Sequence, residues 1–241
     1  MQQALSVSYE GDVAILNMND GKVNALNPTM LGAIDAALAE AADAGALVLC
    51  GRPGTFSGGL DLKYLPAVGP AEREAALDQF TAVMMRVFRF PRPVLAAVSG
   101  HALGGGAILA LAAELRYFAA GSSRFSLVEV PLGVPLPGFA MEFARMAVSG
   151  HALTELCLHG RVYLPDDALK AGLAAAVVPP EQLLAVTVAR AAELAKLPRN
   201  AFSSTKARLR EMAVTRGEAA IAREGMDFLA AFEALLEKAR R

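Results

Sequence analysis

The sequence predicts an α/β fold built from repeated units of strand, strand and helix, and three observations indicate it. Residues 46–50 and 94–98 are short, entirely apolar segments, which is typical of strands in a covered parallel sheet. Residues 28–44, just before the first of these strands, carry apolar side chains at helical spacing. Glycine-rich turns follow Cys50 and Val98, where the apolar strands end. This alternation indicates a sheet with helices packed against it.

The individual elements follow from local signals. The Glu-Gly-Asp turn at 10–12 joins two strand patterns into a hairpin. Asn27 before Pro28 predicts a helix start, because Asn caps the first amides and Pro suits the first helical position; Gly45 ends that helix. The predicted strands are 5–9, 13–18, 46–50, 94–98, 117–119, 161–163 and 173–178, with an extended segment at 124–130. The predicted helices are 28–44, a short one beginning at 61–64, 71–90, 107–115, 139–148 and the segment from 181 onward, broken near Pro198.

Two glycine-rich turns, at 52–60 and 99–106, each stand between a strand and a helix. The amides at the start of a helix are unpaired and lie at the positive end of its dipole, and glycine lets a ligand approach the backbone closely. One amide from each turn could therefore point at a single oxygen, as in an oxyanion hole, where one donor contributes roughly 3–4 kcal/mol of transition-state stabilisation. The glycines would equally well serve only to pack helix against strand.

The glycine run Gly104, Gly105 and Gly106 lacks the patterns of phosphate-binding loops. It has neither a G-x-G-x-x-G frame nor a following Gly-Lys-Ser/Thr. Ser99 is not a nucleophile elbow, because Ala97 stands where that motif needs glycine. An oxygen that becomes anionic during a reaction therefore fits these turns better than a bound phosphate.

Glu129 is an isolated acid between Val128 and Val130, just before a proline-rich turn. A carboxylate with such neighbours is either a solvated loop residue or a functional acid whose pKa is raised by burial. The flanking residues alone leave both interpretations open.

Composition limits the functional classes. The chain has 241 residues, 54% hydrophobic and 20% charged, with a net charge of −1. We expect a globular core over residues 1–195 and a helical region over 196–241. A near-neutral charge gives no electrostatic reason to expect nucleic acid or an anionic membrane as a partner. Glycines and Glu114 interrupt the longest apolar stretch, so no membrane span is expected.

The two cysteines and the two ends of the chain add further expectations. Cys50 and Cys157 have apolar surroundings and no metal spacing, which favours buried thiols in a reducing compartment. The first ten residues show no signal-peptide pattern, and a cytoplasmic protein is predicted. The terminal region has enough apolar surface to pack on another subunit. Its apolar residues are Phe202, Leu209, Met212, Ile221, Met226, Phe228, Leu229 and Phe232.

Two motifs resemble the signatures of the crotonase family, the enoyl-CoA hydratase and isomerase superfamily. Residues 56–63, Phe-Ser-Gly-Gly-Leu-Asp-Leu-Lys, resemble its Phe-Ser/Ala-Ala-Gly-x-Asp-hydrophobic-Lys run. Residues 100–106, Gly-His-Ala-Leu-Gly-Gly-Gly, resemble its Gly-x-Ala-x-Gly-Gly-Gly run. The Asn-Ala-Leu-Asn run at 24–27, the segment 161–173 and the helix carrying Lys206 also fit, so the likeness extends nearly end to end.

The resemblance implies a right-handed spiral of ββα repeats with a C-terminal helical trimerisation region, assembled as a homotrimer or homohexamer. It implies an acyl-CoA thioester as substrate, with coenzyme A entering as part of it and with no metal or tightly bound cofactor. The oxyanion hole would use the amides of Leu60 and Gly105. The other residues expected to bind substrate are Ala25, Leu26, Gly58, Gly59, Asp61, Leu62, Lys63, Gly104, Ile108 and Val130.

The acidic residues point to the reaction. Hydratases of this family use two glutamates, one placed two residues past the third glycine and one in a later Phe-x-x-x-Glu run. Glu129 matches the later one, but Ile108 stands at the first position and cannot hold or deprotonate water. Glu114 cannot replace it, since it lies about 9 Å further along the helix and is turned by roughly 120°.

A single carboxylate is enough for Δ3,Δ2-enoyl-CoA isomerisation, and family isomerases resemble this chain in keeping only the later glutamate. Glu129 would remove a proton from C2 of a 3-enoyl thioester and return it to C4. Ile108 would keep the pocket dry, which favours proton return over attack by water.

Two other functions stay open at this point. One is hydration, or other thioester chemistry, with an unusual second group; His101 is a candidate, although a lone histidine near a turn is more often structural. The other is an acyl-CoA-binding protein without activity, which Ile108 favours and Glu129 opposes. His151 and His159 lie outside the motifs and form no metal pattern. One relative of the family binds RNA, but a net charge of −1 without a visible basic patch argues against that here.

Overall fold

The computed structural model describes the backbone of residues 4–239 and the side chains of residues 4–224 and 230–235. The strands there are β1 (Leu5–Glu10), β2 (Val13–Met18), β3 (Ala25–Leu26), β4 (Ala46–Cys50), β5 (Gly54–Ser57), β6 (Gly59–Leu60), β7 (Val94–Val98), β8 (Gly100–Leu103), β9 (Leu115–Ala119), β10 (Phe125–Ser126) and β11 (Ala176–Val178). The helices are α1 (Pro28–Glu40), α2 (Pro70–Arg89), α3 (Gly105–Ala112), α4 (Gly138–Ala147), α5 (Gly150–Cys157), α6 (Pro165–Lys170), α7 (Leu183–Ala195) and α8 (Arg199–Ala239), with 3-10 turns at Leu65–Ala67 and Pro180–Gln182.

The largest sheet has the strand order β1-β2-β4-β7-β9-β11. The first two strands form the antiparallel hairpin that the 10–12 turn predicts, and the later neighbours are parallel. Strands β4 and β7 are buried along their whole length, which explains why both are entirely apolar. The prediction of a covered parallel sheet is confirmed.

The two glycine-rich segments contain strands rather than turns alone, which corrects the sequence interpretation. Strands β5 and β8 pair in parallel within a second sheet of order β10-β8-β5. A Cβ atom on Gly100 would lie 1.8 Å from the carbonyl carbon of Gly54, so only glycine allows this approach. The two paired segments are far apart in sequence, and neither shows the alternation of apolar and polar residues from which a strand could be predicted.

The two sheets explain the repeated unit of strand, strand and helix. Three successive units place their first strand, β4, β7 or β9, in the large sheet and their second, β5, β8 or β10, in the small one. A helix, α2, α3 or α4, then follows. The junction between second strand and helix therefore recurs on one side of the molecule, and the candidate site is built there.

The start of α1 agrees with the sequence, but α1 ends at Glu40 instead of residue 44, and α3 also ends earlier than predicted. The side chain of Asn27 accepts a hydrogen bond from the amide of Met30 at 3.1 Å, which confirms the predicted cap. Helix α3 ends at Ala112 instead of residue 115, because the chain turns there into β9. The amide of Glu114 donates to the carbonyl of Val94 at 2.9 Å and fixes that turn.

The segment 124–130, predicted as extended, is a strand only at β10. Beyond it the chain folds back, and the amides of Leu132 and Val134 both donate to the carbonyl of Glu129, at 3.0 and 2.9 Å. Residues 161–163 contribute an isolated bridge between Tyr163 and Phe125 rather than a strand. Helices α5 and α6 are missing from the predicted elements, since each is too short to show a helical repeat.

Helix α8 runs back over its own chain and packs against α4 and α2. The break predicted near Pro198 separates it from α7. Leu209 and Met212 on this helix are 68% and 60% exposed in the single chain. The expectation that residues 196–241 also pack on a neighbouring subunit stays a prediction, and Met226, Phe228 and Leu229 lie outside the described side chains. No helix in the described part of the chain is both long and apolar enough to cross a membrane.

A buried group of charges attaches α8 to the core. Glu114 lies 2.7 Å from both Lys206 and Arg210, whose side chains are 6% and 7% exposed. Both cations also donate hydrogen bonds to backbone carbonyls. Lys206 donates to the carbonyl of Arg92, and Arg210 donates to the carbonyl of Phe88 at the end of α2. Burial lowers the pKa of Lys206 to about 8, and the Glu114 carboxylate opposes that shift. Removing the single carboxylate would therefore leave two buried cations without their counter-ion.

We predict that Glu114→Gln destabilises the fold by about 3 kcal/mol, because breaking a buried ion pair leaves uncompensated charge. Chemical denaturation at neutral pH measures this change. Glu74→Gln, on the exposed face of α2, is the control and should leave the free energy of unfolding unchanged. A loss below about 1 kcal/mol in Glu114→Gln would show that water screens the pair.

Candidate active site

A small pocket lies where β6, the start of α3, the segment 128–137 and α8 meet. It encloses about 70 Å³. Its lining residues are Gly58, Gly59, Leu60, Leu62, Phe80, Gly104, Gly105, Ile108, Val128, Glu129, Leu132, Val134, Pro137, Phe232 and Leu235. Glu129 is the one ionisable side chain among these described residues, so the pocket is an apolar cavity with a single acid.

The amides of Leu60 and Gly105 lie side by side at the pocket wall. A Cβ atom on Gly105 would be 3.3 Å from the nitrogen of Leu60, and one on Gly59 would be 3.0 Å from the nitrogen of Gly105. Since a Cβ atom lies about 2.5 Å from its own nitrogen, the two amide nitrogens are at most ~6 Å apart. Gly59 and Gly104 have φ values of +89° and +50°, a backbone conformation that favours glycine. Two donors at this spacing can address one oxygen, as the glycine-rich segments predict.

The donor segment 59–60 is held in place by the neighbouring strand and by Asp61. Ala25 and Leu26 of β3 pair in parallel register with Gly59 and Leu60 of β6. The Asp61 carboxylate accepts the amides of Lys63 and Tyr64 at 2.9 and 3.0 Å and the Asn27 side chain at 3.1 Å. Burial alone would raise the pKa of Asp61, but these hydrogen bonds outweigh it and lower the pKa. Asp61 therefore fixes the backbone that directly follows the Leu60 donor.

Glu129 faces the same place from the other side. Its Oε1 would lie 3.3 Å from a Cβ atom on Gly104, beside the start of α3. Its Oε2 is buried and has no hydrogen-bond partner among the described residues. Burial raises the pKa of Glu129 from 4.5 to about 7, and a hydrogen bond from its own amide offsets part of that rise. The acid is therefore close to half ionised at neutral pH and can both take and return a proton.

Most of the predicted site residues meet in this pocket. Gly58, Gly59, Leu60, Leu62, Gly104, Gly105, Ile108 and Glu129 all line it. Ala25, Leu26, Asp61, Lys63 and Val130 do not contribute to its described lining. Leu26 is buried behind the donors, and Val130, predicted as part of an apolar pocket, is 41% exposed. The turn after Glu129 sends the two neighbouring side chains in different directions: Val128 lines the pocket and Val130 faces outward.

His101, the candidate for a second catalytic group, lies elsewhere. Its Nδ1 accepts the amide of Arg124 at 3.1 Å, and the residue lines a separate cavity near Ser99 and Cys50. The structural interpretation of this histidine agrees with that geometry.

Sequence reasoning missed several apolar residues of the pocket. They are Phe80, Val128, Leu132, Val134, Phe232 and Leu235. Phe80 comes from the buried face of α2, and Phe232 was expected to face another subunit. Their positions depend on how α2 and α8 pack across the ββα units, and no local sequence motif predicts that packing.

Comparison with known proteins places the chain in a family. The model of the family described as "Enoyl-CoA hydratase/isomerase" matches residues 8–238. This chain belongs to the enoyl-CoA hydratase/isomerase family. A Rhizobium meliloti protein named "Probable enoyl-CoA hydratase" is 32% identical over 232 residues, which cover 94% of this chain and 86% of the relative.

Solved structures agree with the assignment to the enoyl-CoA hydratase/isomerase family and with its fold. A Mycobacterium tuberculosis protein described as an enoyl-CoA isomerase is 32% identical, with a TM-score of 0.86 and coverage of 96% of this chain and 99% of that one. Another structure of the same protein names it a "probable enoyl-CoA hydratase", also at a TM-score of 0.86. Human mitochondrial Δ3-Δ2-enoyl-CoA isomerase, at 23% identity and a TM-score of 0.90 over 99% of this chain and 98% of its own, shows the shared fold. The predicted crotonase fold is confirmed.

We predict that Glu129→Gln makes the protein more stable at pH 8 and not at pH 4.5. Because the folded-state pKa of Glu129 is raised from 4.5 to about 7, its contribution to stability is present below pH 4.5 and is lost as pH rises through 7. Glutamine does not ionise and so avoids this loss. Between pH 4.5 and pH 8 the free energy of unfolding of the variant should therefore increase relative to that of wild type by up to about 3 kcal/mol. Urea denaturation at both pH values measures the gain, with Glu74→Gln as control. Equal stability of Glu129→Gln and wild type at both values would mean that Glu129 is hydrated.

Proposed function

We propose that this chain catalyses Δ3,Δ2-enoyl-CoA isomerisation, with Glu129 as the proton carrier. The observation that supports this most is the single acid in an otherwise apolar pocket. The buried side chain of Ile108, 1% exposed, stands where a hydratase of the family would carry its other glutamate. Glu114 is engaged with Lys206 and Arg210 and belongs to a different part of the fold.

The proposed reaction moves one proton and one double bond. The thioester oxygen would accept hydrogen bonds from the amides of Leu60 and Gly105, which stabilise the negative charge that develops there. The Glu129 carboxylate removes a proton from C2, and the C2–H electron pair becomes part of a dienolate. The protonated Glu129 then donates to C4, so that the double bond lies between C2 and C3. No water is consumed and no tightly bound cofactor is needed, because coenzyme A is part of the substrate.

An acid with a pKa of about 7 suits this cycle. A weaker base would remove the C2 proton too slowly, and a stronger one would not return it at neutral pH. The apolar lining, including Ile108 and Val128, keeps water away from the dienolate.

Hydration remains the second candidate, since several similar proteins carry hydratase names. It requires a second group to hold and activate water. Within the described lining no side chain other than Glu129 is ionisable, and His101 faces another cavity.

The resemblance to the family also supports a homotrimer or homohexamer in which residues 196–241 contact neighbouring subunits. The exposure of Leu209 and Met212 on α8 is consistent with burial by a second copy. Light scattering of the purified protein tests this, and a monomer would contradict it. The buried free thiols Cys50 and Cys157 support a reducing compartment such as the cytoplasm.

We predict that wild-type protein converts a 3-enoyl-CoA into the conjugated 2-enoyl-CoA and that Glu129→Gln loses at least about 10³-fold in kcat, because glutamine cannot carry the proton. The rise in ultraviolet absorbance of the conjugated thioester measures the reaction. Glu74→Gln, the same exchange at an exposed position of α2 outside the pocket, is the control and should react like wild type. Rapid hydration of 2-enoyl-CoA by wild type would contradict the proposal, and tight thioester binding without either reaction would indicate a binding protein.

The pH dependence of the isomerisation is a further prediction. Because the base form of Glu129 starts the reaction, kcat/KM should rise about tenfold per pH unit below pH 7 and level off above it. Stopped-flow assays between pH 5 and 9 on the wild type measure the profile. A flat profile from pH 5 upward would mean that the catalytic acid titrates near its ordinary pKa.

A further inference from the structure

Helix α8 forms one wall of the pocket. Phe232, 5% exposed, and Leu235 project from this helix into the lining. Phe232 packs in a small apolar cluster with Leu65, Leu77 and Val134, separate from the main core. The pocket is therefore bounded by the last turns of the described chain as well as by the ββα units.

The space left for an acyl chain is small. The pocket encloses about 70 Å³, roughly half the ~150 Å³ of an engineered apolar cavity that binds benzene. A chain of a few carbon atoms beyond the thioester fits such a volume. A long chain fits only if Phe232 and Leu235 move away.

Arg73 links helix α8 to helix α2 beside the pocket. Arg73 on α2 has a side chain 11% exposed, and its Nη1 donates to Glu233 of α8 at 2.8 Å. Its Nε and Nη2 donate to the carbonyls of Leu65 and Val68, each at 3.0 Å. The planar guanidinium donates these three hydrogen bonds at the same time, in a geometry that an ammonium group cannot reproduce. Arg73 thus links α8 to the segment that follows the Leu60 donor.

From these contacts we propose that the protein acts on short-chain enoyl-CoA thioesters, and that Phe232 and Leu235, held over the pocket through the Arg73–Glu233 ion pair, set the upper limit of chain length. The reaction named here rests on the proposed isomerase function, whereas the size limit applies to any acyl-CoA that enters the pocket. Phe232 and Leu235 select by size, and Arg73 is a positioning residue that acts through them.

Binding of saturated acyl-CoA molecules tests the size limit without any reaction. Isothermal titration with butyryl-CoA and dodecanoyl-CoA on the wild type should show at least about tenfold weaker binding of the longer thioester. Phe232→Ala should remove that difference, because it enlarges the cavity at the wall formed by α8. Glu211→Ala, an exposed change on the same helix, should keep the wild-type ratio. Equal binding of both thioesters by wild type, or failure of both to bind, would overturn the proposal.

Kinetics with 3-hexenoyl-CoA and 3-dodecenoyl-CoA then test the role of Arg73. Arg73→Lys and Glu233→Gln should raise kcat/KM for the longer substrate relative to the shorter at least about fivefold, mainly through KM, since the wall formed by α8 loosens while Glu129 is untouched. An unchanged ratio in both variants would overturn the role of the ion pair. Absence of isomerisation together with a size limit in the binding experiment would contradict the proposed reaction and leave the size limit standing.

Discussion

The close approach of backbone to backbone at a few glycines is the constraint on which the rest of the structure depends. A Cβ atom on Gly106 would lie 2.2 Å from the carbonyl oxygen of Ser57, and one on Gly59 would lie 2.6 Å from that of Leu103. No side chain can occupy those positions without moving backbone. The end of β6 and the start of α3 can therefore touch, and the amides of Leu60 and Gly105 come to the same wall of one pocket. The fold thus presents a pair of hydrogen-bond donors whose close spacing depends on the absence of side chains at these glycines.

The chemistry follows from what surrounds those donors. Glu129 is brought to them by a turn in which its own carbonyl accepts two amides, so the backbone that carries the acid is fixed. Its carboxylate has no cation beside it in the described pocket, and burial raises its pKa to about 7. Such a group holds and releases a proton at neutral pH. The apolar Ile108 on the facing helix offers no group that could activate water. Donors, acid and alkyl side chain together are what the proposed proton transfer on a thioester requires.

Much of this could be predicted from the sequence, and the limits have physical causes. The apolar strands, the Asn27 cap and the helix break near Pro198 follow from local signals and agree with the structure. The strand pairing of β5 with β8 could not be predicted, because it is decided by contacts between segments about 45 residues apart. The motifs placed Leu60, Gly105, Ile108 and Glu129 in one site, since each has a fixed position within a motif. Val130 does not line the described pocket, because a turn, and not a strand, follows Val128. Phe232 could not be assigned to the pocket, because the path of α8 is set by its packing on α4 and α2 and by the ion pair from Arg73.

A crystal structure with butyryl-CoA bound tests the central claim most directly, because the saturated thioester cannot isomerise. The account predicts that the thioester oxygen lies roughly 2.7–3.1 Å from the nitrogens of both Leu60 and Gly105, with the Glu129 carboxylate beside C2. A thioester oxygen bound away from either amide, or a Glu129 carboxylate turned away from C2 into solvent, would contradict it.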